Sequence, residues 1–172
     1  MLAAITQVLN QDSDTQVDVC MTSEMARRIE LWTAMYEDNA PWVDRKKVKS
    51  AQLPAAIASE VARLVTLEMK SEITGGSSAT YLNDQYQKKV LTSIRRYMEY
   101  GCAKGGLILK PYVTKTGLAI QYVQADCFFP LAFDDSGQIQ QCVFTEQFRK
   151  GQKIYTRLEV HTLQGEQIRI TN

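Results

Sequence analysis

Histidine is nearly missing from this chain, with His161 the only one in 172 residues. That removes histidine-based metal clusters and leaves one imidazole as candidate general base. Cys-x-x-Cys pairs are missing as well. Cys20, Cys102, Cys127 and Cys142 stand far apart with no flanking histidine, a spacing that fits reduced, mostly buried thiols in a reducing compartment. No apolar run approaches the length of a membrane span, and Met1-Leu2-Ala3-Ala4-Ile5 lacks the basic start of a signal peptide. Thr74-Gly75-Gly76-Ser77-Ser78 lacks the Gly-x-x-x-x-Gly-Lys-Ser/Thr spacing of a phosphate cradle, and no strand precedes it, so it reads as a flexible turn.

Net charge is scarce too, at +1, but it is unevenly spread. Residues 1–44 hold two basic and eight acidic side chains, a balance of −6, while residues 45–110 hold twelve basic and five acidic, or +7. Residues 111–172 hold six of each. Such a bipolar chain neutralises itself internally or lays its acidic arm on the basic region of another copy.

What is present is organised around residues 82–113. Leu82, Tyr86, Val90, Ile94, Tyr97, Met98 and Gly101 recur at helical spacing on one stripe, with Lys88, Thr92, Arg95 and Glu99 opposite. Cys102-Ala103-Lys104-Gly105-Gly106 reads as the stop, and Leu107 to Val113 as a strand. Gly101 and Gly105 leave room for another backbone to come close. A single long helix feeding a β-meander is the expected unit.

Upstream, Leu2 to Leu9 reads as a short helix and Asn10 to Asp18 as a polar loop. Thr22-Ser23-Glu24 is a helix cap, after which Met25, Ile29, Trp32 and Tyr36 make an aromatic stripe suited to core packing or to a partner. Asn39-Ala40-Pro41 ends that helix, with Trp42 and Val43 folding back on it. Arg45-Lys46-Lys47-Val48-Lys49 is the densest charge run; it suits a solvated linker, or phosphate contact through Arg45, Lys46, Lys47 and Lys49. No aromatic side chains are interleaved there to stack bases.

Pro54 suits the first turn of a helix that continues from Ala55 to about Glu72. Ser59, Arg63, Thr66 and Lys70 form a narrow polar edge, and the rest is broadly apolar, so this helix is expected to be covered on most sides. Projection of that helix puts Glu68 inside the apolar arc, where a carboxylate needs a partner. Arg95 or Arg96, or a basic group from another subunit, is the expected partner. Ile57, Val61, Leu64, Val90, Ile94, Leu107 and Leu109 are the expected core.

Hairpin signals follow. Thr114 to Gly117 turns into a strand at Leu118 to Val123, Asp126 to Pro130 crosses over, and Asp134-Asp135-Ser136-Gly137 turns into a strand from Gln138 to Arg149. After the Lys150-Gly151 turn, Ile154 to Leu163 alternates, with Tyr155, Arg157, Glu159 and His161 on one face. For the last hairpin, a three-residue loop with Gly165 in the left-handed position sets Ile168 and Ile170 beside Thr162 and Val160, and the hydrophobic pattern favours it over a two-residue turn. The chain stops at Thr171-Asn172 in or at the end of a strand, which suggests part of something longer. Asp126, Asp134, Asp135 and His161 are the only candidates for hydrolytic chemistry, and neither spacing nor basic context supports them.

Glu24-Met25 through Ile29, Trp32 and Tyr36 to Pro41-Trp42, the helix ending at Glu68, and above all Met98-Glu99-Tyr100-Gly101-Cys102-Ala103-Lys104-Gly105-Gly106 with Lys110-Pro111-Tyr112-Val113 resemble the N-terminal part of the portal (minor capsid) proteins of long-tailed bacteriophages. Tyr122-Val123, Ala125-Asp126 with Phe129-Pro130, the Gly137-to-Phe144 strand and Tyr155 to His161 continue the resemblance. It covers most of the chain from about residue 20 and is a pattern of apolar and glycine positions. It implies a ring of about a dozen subunits at one capsid vertex, with closed symmetry. Through it double-stranded DNA is packaged and ejected, and to it the terminase motor, capsid and head-tail connector proteins attach. Stem, clip and crown would lie beyond Asn172, and this piece would be the outer wing. No catalytic residue, cofactor, metal or membrane contact is implied, and little direct DNA contact.

The fold expected is α+β, with N-terminal helices packed on a C-terminal antiparallel β-meander: residues 1–105 helical, residues 106–172 the β part of the same wing. The alternative is a nucleic-acid-binding module using the basic 45–96 region, with Lys88, Lys89, Arg95 and Arg96.

Overall fold

The computed structural model describes residues 2–11, 18–44, 46–47 and 49–172. The fold is α+β: helices occupy the N-terminal half and antiparallel strands the C-terminal half. By their internal contacts the residues group into two compact units, one of residues 1–28 with 126–172 and one of residues 29–125. The expected division at 105/106 followed the change of secondary structure; the compact units follow packing and close a sequence-distant N-terminal arm onto the last strands.

In the first unit, β3 (Phe128–Phe133), β4 (Ile139–Lys150), β5 (Lys153–Gln164) and β6 (Gln167–Thr171) form a four-stranded antiparallel meander in chain order. Phe129 lies opposite Val143, and Val143 opposite Val160, so one sheet face carries an aliphatic strip. Helix α1 (Leu2–Gln11) covers it: Ile5, Phe129, Leu131 and Val143 make the buried cluster, with Leu9, Leu158 and Val160 around it. The stretch after α1 is tied along β3 by Cys20, whose amide donates to the Pro130 carbonyl at 2.8 Å. Val19 and Met21, on either side of it, close the cluster.

The last hairpin corrects the sequence reading. Gln164 pairs with Gln167, so the loop is Gly165-Glu166, two residues long. Gly165 has φ 63°, the positive angle that a type II′ turn places at its first loop residue. Ile170 therefore sits opposite His161, and Arg169 and Thr171 take the places beside Thr162 and Val160. The hydrophobic pattern misled because β6 is an edge strand whose residues are all exposed; burial does not dictate its register, and the turn does.

The second unit contains the rest of α2 (Ser23–Tyr36), α3 (Leu53–Leu67), α4 (Ala79–Tyr86), α5 (Ile94–Lys104) and the two-stranded ribbon β1 (Leu107–Thr114) and β2 (Gly117–Gln124). The single long helix expected over residues 82–104 is interrupted. A π-helical turn, Gln87–Leu91, follows α4, and the helix restarts at Ile94. A wider turn frees carbonyls from the regular ladder, and these need other donors. Tyr122 of β2 supplies one, its hydroxyl donating to the Lys89 carbonyl at 2.7 Å. The Thr92 hydroxyl donates to Lys88 O at 2.7 Å, and the Lys89 ammonium reaches Leu118 O. The Tyr122 ring lies flat on Tyr97 of α5, centroids 3.8 Å apart and planes within 3°. One phenol thus joins the interrupted helix to the ribbon, and desolvation at that place pushes its pKa up.

Val90 and Ile94 are buried as expected. Leu109 is exposed on the ribbon and Leu107 only partly buried. A Cβ on Gly101 would meet the Leu107 side chain at 3.2 Å, and one on Gly105, which stops α5 at φ 84°, would meet the Trp32 ring at 3.2 Å. At Gly105 a side chain, rather than the expected second backbone, fills the space, while at Gly101 the Gly106 backbone also lies 3.9 Å away.

Replacing Tyr122 by Phe keeps the ring stack and removes the donor. The expected loss of stability is about 1–2 kcal/mol, read by chemical denaturation. A change under about 0.3 kcal/mol would mean water satisfies the Lys89 carbonyl equally well.

Candidate functional site

Helix α3 turns the ordinary logic of an amphipathic helix around. Its buried side is made of alanine: Ala58 is 5 % exposed and Ala62 fully covered, in the face that meets α5. Small side chains let two helix axes approach closely, and Thr66 keeps the same side quiet by bonding back to Ala62 O at 2.7 Å. The large aliphatic residues point the other way. Leu53, Ile57, Val61, Leu64, Val65 and Leu67 are between 41 % and 63 % exposed, over an arc of roughly 160° at 100° per residue. Monomeric proteins rarely leave a contiguous apolar surface of this kind open.

One charge lies within that arc. Glu60 accepts two hydrogen bonds from Arg63, at 2.6 and 2.8 Å. That bidentate bond holds the Glu60 carboxyl below the usual range, and Arg95 of α5 adds to the effect. The N-terminal half of the stripe borders an apolar groove of about 590 Å3. Trp32, Met35 and Tyr36 of α2 form one wall, Leu53, Ile57 and Val61 of α3 the other, and Cys102 and Ala103 of α5 the floor. Tyr36 closes the polar end: its hydroxyl donates to Glu99 at 2.7 Å, and burial together with that carboxylate pushes the phenol well above its ordinary pKa. Its ring packs edge-on against Tyr100, 5.7 Å away.

The residues singled out from the sequence fall largely elsewhere. Glu68 is exposed: α3 ends at Leu67 with Glu68 as its non-helical cap at φ −115°, and the apolar arc into which a continued helix would project it is itself open. Arg95 and Arg96 are exposed as well, and among the described residues no ion pair joins either to Glu68. Arg95 instead acts electrostatically on Glu60. Ile57, Val61 and Leu64, expected in the core, are in the open stripe, since the alanine side took the contact with α5. Trp42 is 65 % exposed instead of folded onto α2.

Of the basic candidates, Lys88 pairs with Asp84 at 2.8 Å and stays exposed on the surface, while Lys89 is engaged with Leu118. Lys47 pairs with Asp44 at 3.2 Å, and Lys46 and Lys49 are exposed; Arg45 lies outside the described residues. All four cysteines are thiols, with only Cys142 buried and Cys20 and Cys102 exposed, against the expectation that most are buried. Asp134 is occupied in holding its own turn, accepting from the Ser136 hydroxyl at 2.7 Å and the Gln138 amide at 2.8 Å. Those bonds hold its carboxyl below the usual range. His161 pairs with Glu159 at 2.5 Å and packs edge-on against Phe144. Among the described residues no group of three or more His, Cys, Asp or Glu is placed to hold a metal ion, and no helix is long and apolar enough to cross a membrane.

Two predictions follow from the geometry. Ala62→Leu should cost about 1–3 kcal/mol by overpacking the α3–α5 contact, whereas Glu68→Ala should stay within about 0.5 kcal/mol; equal effects in thermal melts would contradict the placement. Asp134 has a folded pKa below its unfolded one, so its contribution to the turn is present above the ordinary aspartate range and lost as pH falls through the folded value. Its carboxyl resonance should titrate below that range, with the Gln138 amide following, and titration at the ordinary value contradicts the bonding described.

Comparison of the chain with family models, with curated proteins and with solved structures finds no match.

Proposed function

We propose that this chain is a structural subunit of an assembly, the wing part of a phage portal ring at the capsid vertex, with no catalytic role. The observation that carries the assembly reading is the open aliphatic stripe of α3: six large apolar side chains held in water on one helix. A surface of that kind is completed by other protein. The portal identity rests on the resemblance of residues 98–113 and their surroundings to that family. Support also comes from the bipolar charge of the sequence, −6 before residue 45 and +7 up to residue 110, which suits contacts between unlike surfaces of neighbouring copies. On this reading the partners are further copies, capsid, terminase motor and head-tail connector proteins, and DNA passes through the ring with little contact from this region.

Electron microscopy of the natural full-length protein tests the reading. Rings of about a dozen subunits around an open channel, with cyclic symmetry, are expected. Uniform monomers or compact two-fold particles would overturn it. Binding of double-stranded DNA by residues 1–172 is expected to be weak at low salt; tight binding with a steep salt dependence would favour the basic-module alternative.

A further inference from the structure

We propose that the free end of the β4–β5 hairpin is a binding arm for single-stranded nucleic acid, with Phe148 and Tyr155 stacking on bases and Arg149, Lys150 and Lys153 holding phosphates. β3 pairs with β4 only as far as Phe144, and β6 pairs with β5 only from Val160 onward. Residues 146–157 therefore run past both neighbours as a two-stranded ribbon, exposed along its whole length and roughly 17 Å long at 3.4 Å per residue. A hairpin with no third strand or helix against it is marginal by itself. This one is held by its own cross-strand pairs: Glu146 accepts from Arg157, and the rings of Phe148 and Tyr155 stack with centroids 5.7 Å apart and planes within 17°.

The register puts the pairs Glu146–Arg157, Phe148–Tyr155 and Lys150–Lys153 on one face, in that order toward the turn. The rings are 47 % and 43 % exposed. Beyond them the two lysines stand opposite each other, and like charges directly opposite destabilise an antiparallel pair. Glu146 is the one carboxylate from residue 146 to residue 157, and Arg157 takes it. Among the described residues Arg149, Lys150 and Lys153 have no ion-pair partner. An anion between the lysines relieves the repulsion, so the tip is complementary to a polyanion.

A nucleotide supplies both halves of the fit, phosphate for the cations and a flat base for the rings. The run at 45–49 has cations without aromatics; here the two interleave within residues 148–155. A bilayer fits the order less well, because an inserting segment leads with its apolar groups and trails its cations. This tip leads with Lys150 and Lys153 and keeps Phe148, Ile154 and Tyr155 behind them. An acidic peptide answers the lysines but not the rings. In a duplex the base faces cover one another, so the rings select a single strand, with tolerance of sequence. The arm is independent of the ring reading above, and agrees with weak binding of double-stranded DNA.

Fluorescence anisotropy with residues 1–172 and a labelled oligothymidine of about twenty nucleotides, longer than one binding site, tests this across a range of salt. Binding is expected at low salt, with log K falling against log salt at a slope of about −2, for two or three phosphates. A duplex of the same length should bind at least about tenfold more weakly. Phe148→Leu and Tyr155→Leu keep apolar bulk and remove the π face; each should weaken the complex about five- to hundredfold, while Tyr155→Trp retains it. Lys150→Gln with Lys153→Gln should make the slope shallower by about 1.4 and leave the melting temperature unchanged or higher, since the opposed charges are gone. All four positions are exposed, and circular dichroism of each variant checks that the fold is kept. No binding at low salt, duplex bound as tightly as single strand, or binding indifferent to the ring substitutions overturns the inference. So does binding that falls only when Lys46 and Lys47 are changed to Gln, or equal affinity for polyglutamate or for phosphatidylserine vesicles. None of these outcomes bears on whether the full-length protein forms rings, and absence of rings leaves the arm standing.

Discussion

Close contact between α3 and α5 through alanine is the constraint on which the rest of this molecule's surface depends. Ala58 and Ala62 allow the two helices to approach, and once that side is inside, every large aliphatic residue of α3 is committed to the outside. Burying such a side chain fully is worth about 1.5–3 kcal/mol. Six of them, near half exposed, therefore leave on the order of 5 kcal/mol unrealised. Against the 5–15 kcal/mol that holds a typical domain together, that is a large amount of apolar burial left open. It does not resemble the scatter of single exposed leucines on an ordinary monomer.

Gly105 ends α5 in the left-handed conformation beside the Trp32 ring, so the groove floor and its α2 wall are set by one packing contact. On the other side, Tyr97 and Tyr122 stack, and the Tyr122 hydroxyl takes up a carbonyl freed by the π-helical turn. Several polar side chains that sequence alone would offer to a ligand make local contacts instead, in either unit. Lys88 holds Asp84, Lys89 holds Leu118, Tyr36 holds Glu99 and Asp134 holds its turn.

Much of the architecture could be read from the residues. The cap at Thr22, whose hydroxyl accepts from the Met25 amide, the glycine stop of α5 and the turns at Gly137 and Gly151 all act locally, within a few residues. They were legible for that reason. The break at residues 87–93 is not, because the group that satisfies its freed carbonyl, the Tyr122 hydroxyl, arrives from more than thirty residues downstream. Glu68 escapes burial on two counts: α3 ends before it, and the large aliphatic arc it would join faces outward. The side of α3 that turns inward could have been found: Ala55, Ala58 and Ala62 recur at three- and four-residue steps. Their small size was read as helix propensity when it marks close approach.

Amide hydrogen exchange across residues 53–67, followed as a function of protein concentration, measures the central claim most directly. The account predicts rapid exchange in α3 at low concentration and increasing protection as copies associate, while the β4–β5 core of the sheet stays constant. Protection of α3 that is already complete in the dilute chain, or that never changes with concentration, would contradict it.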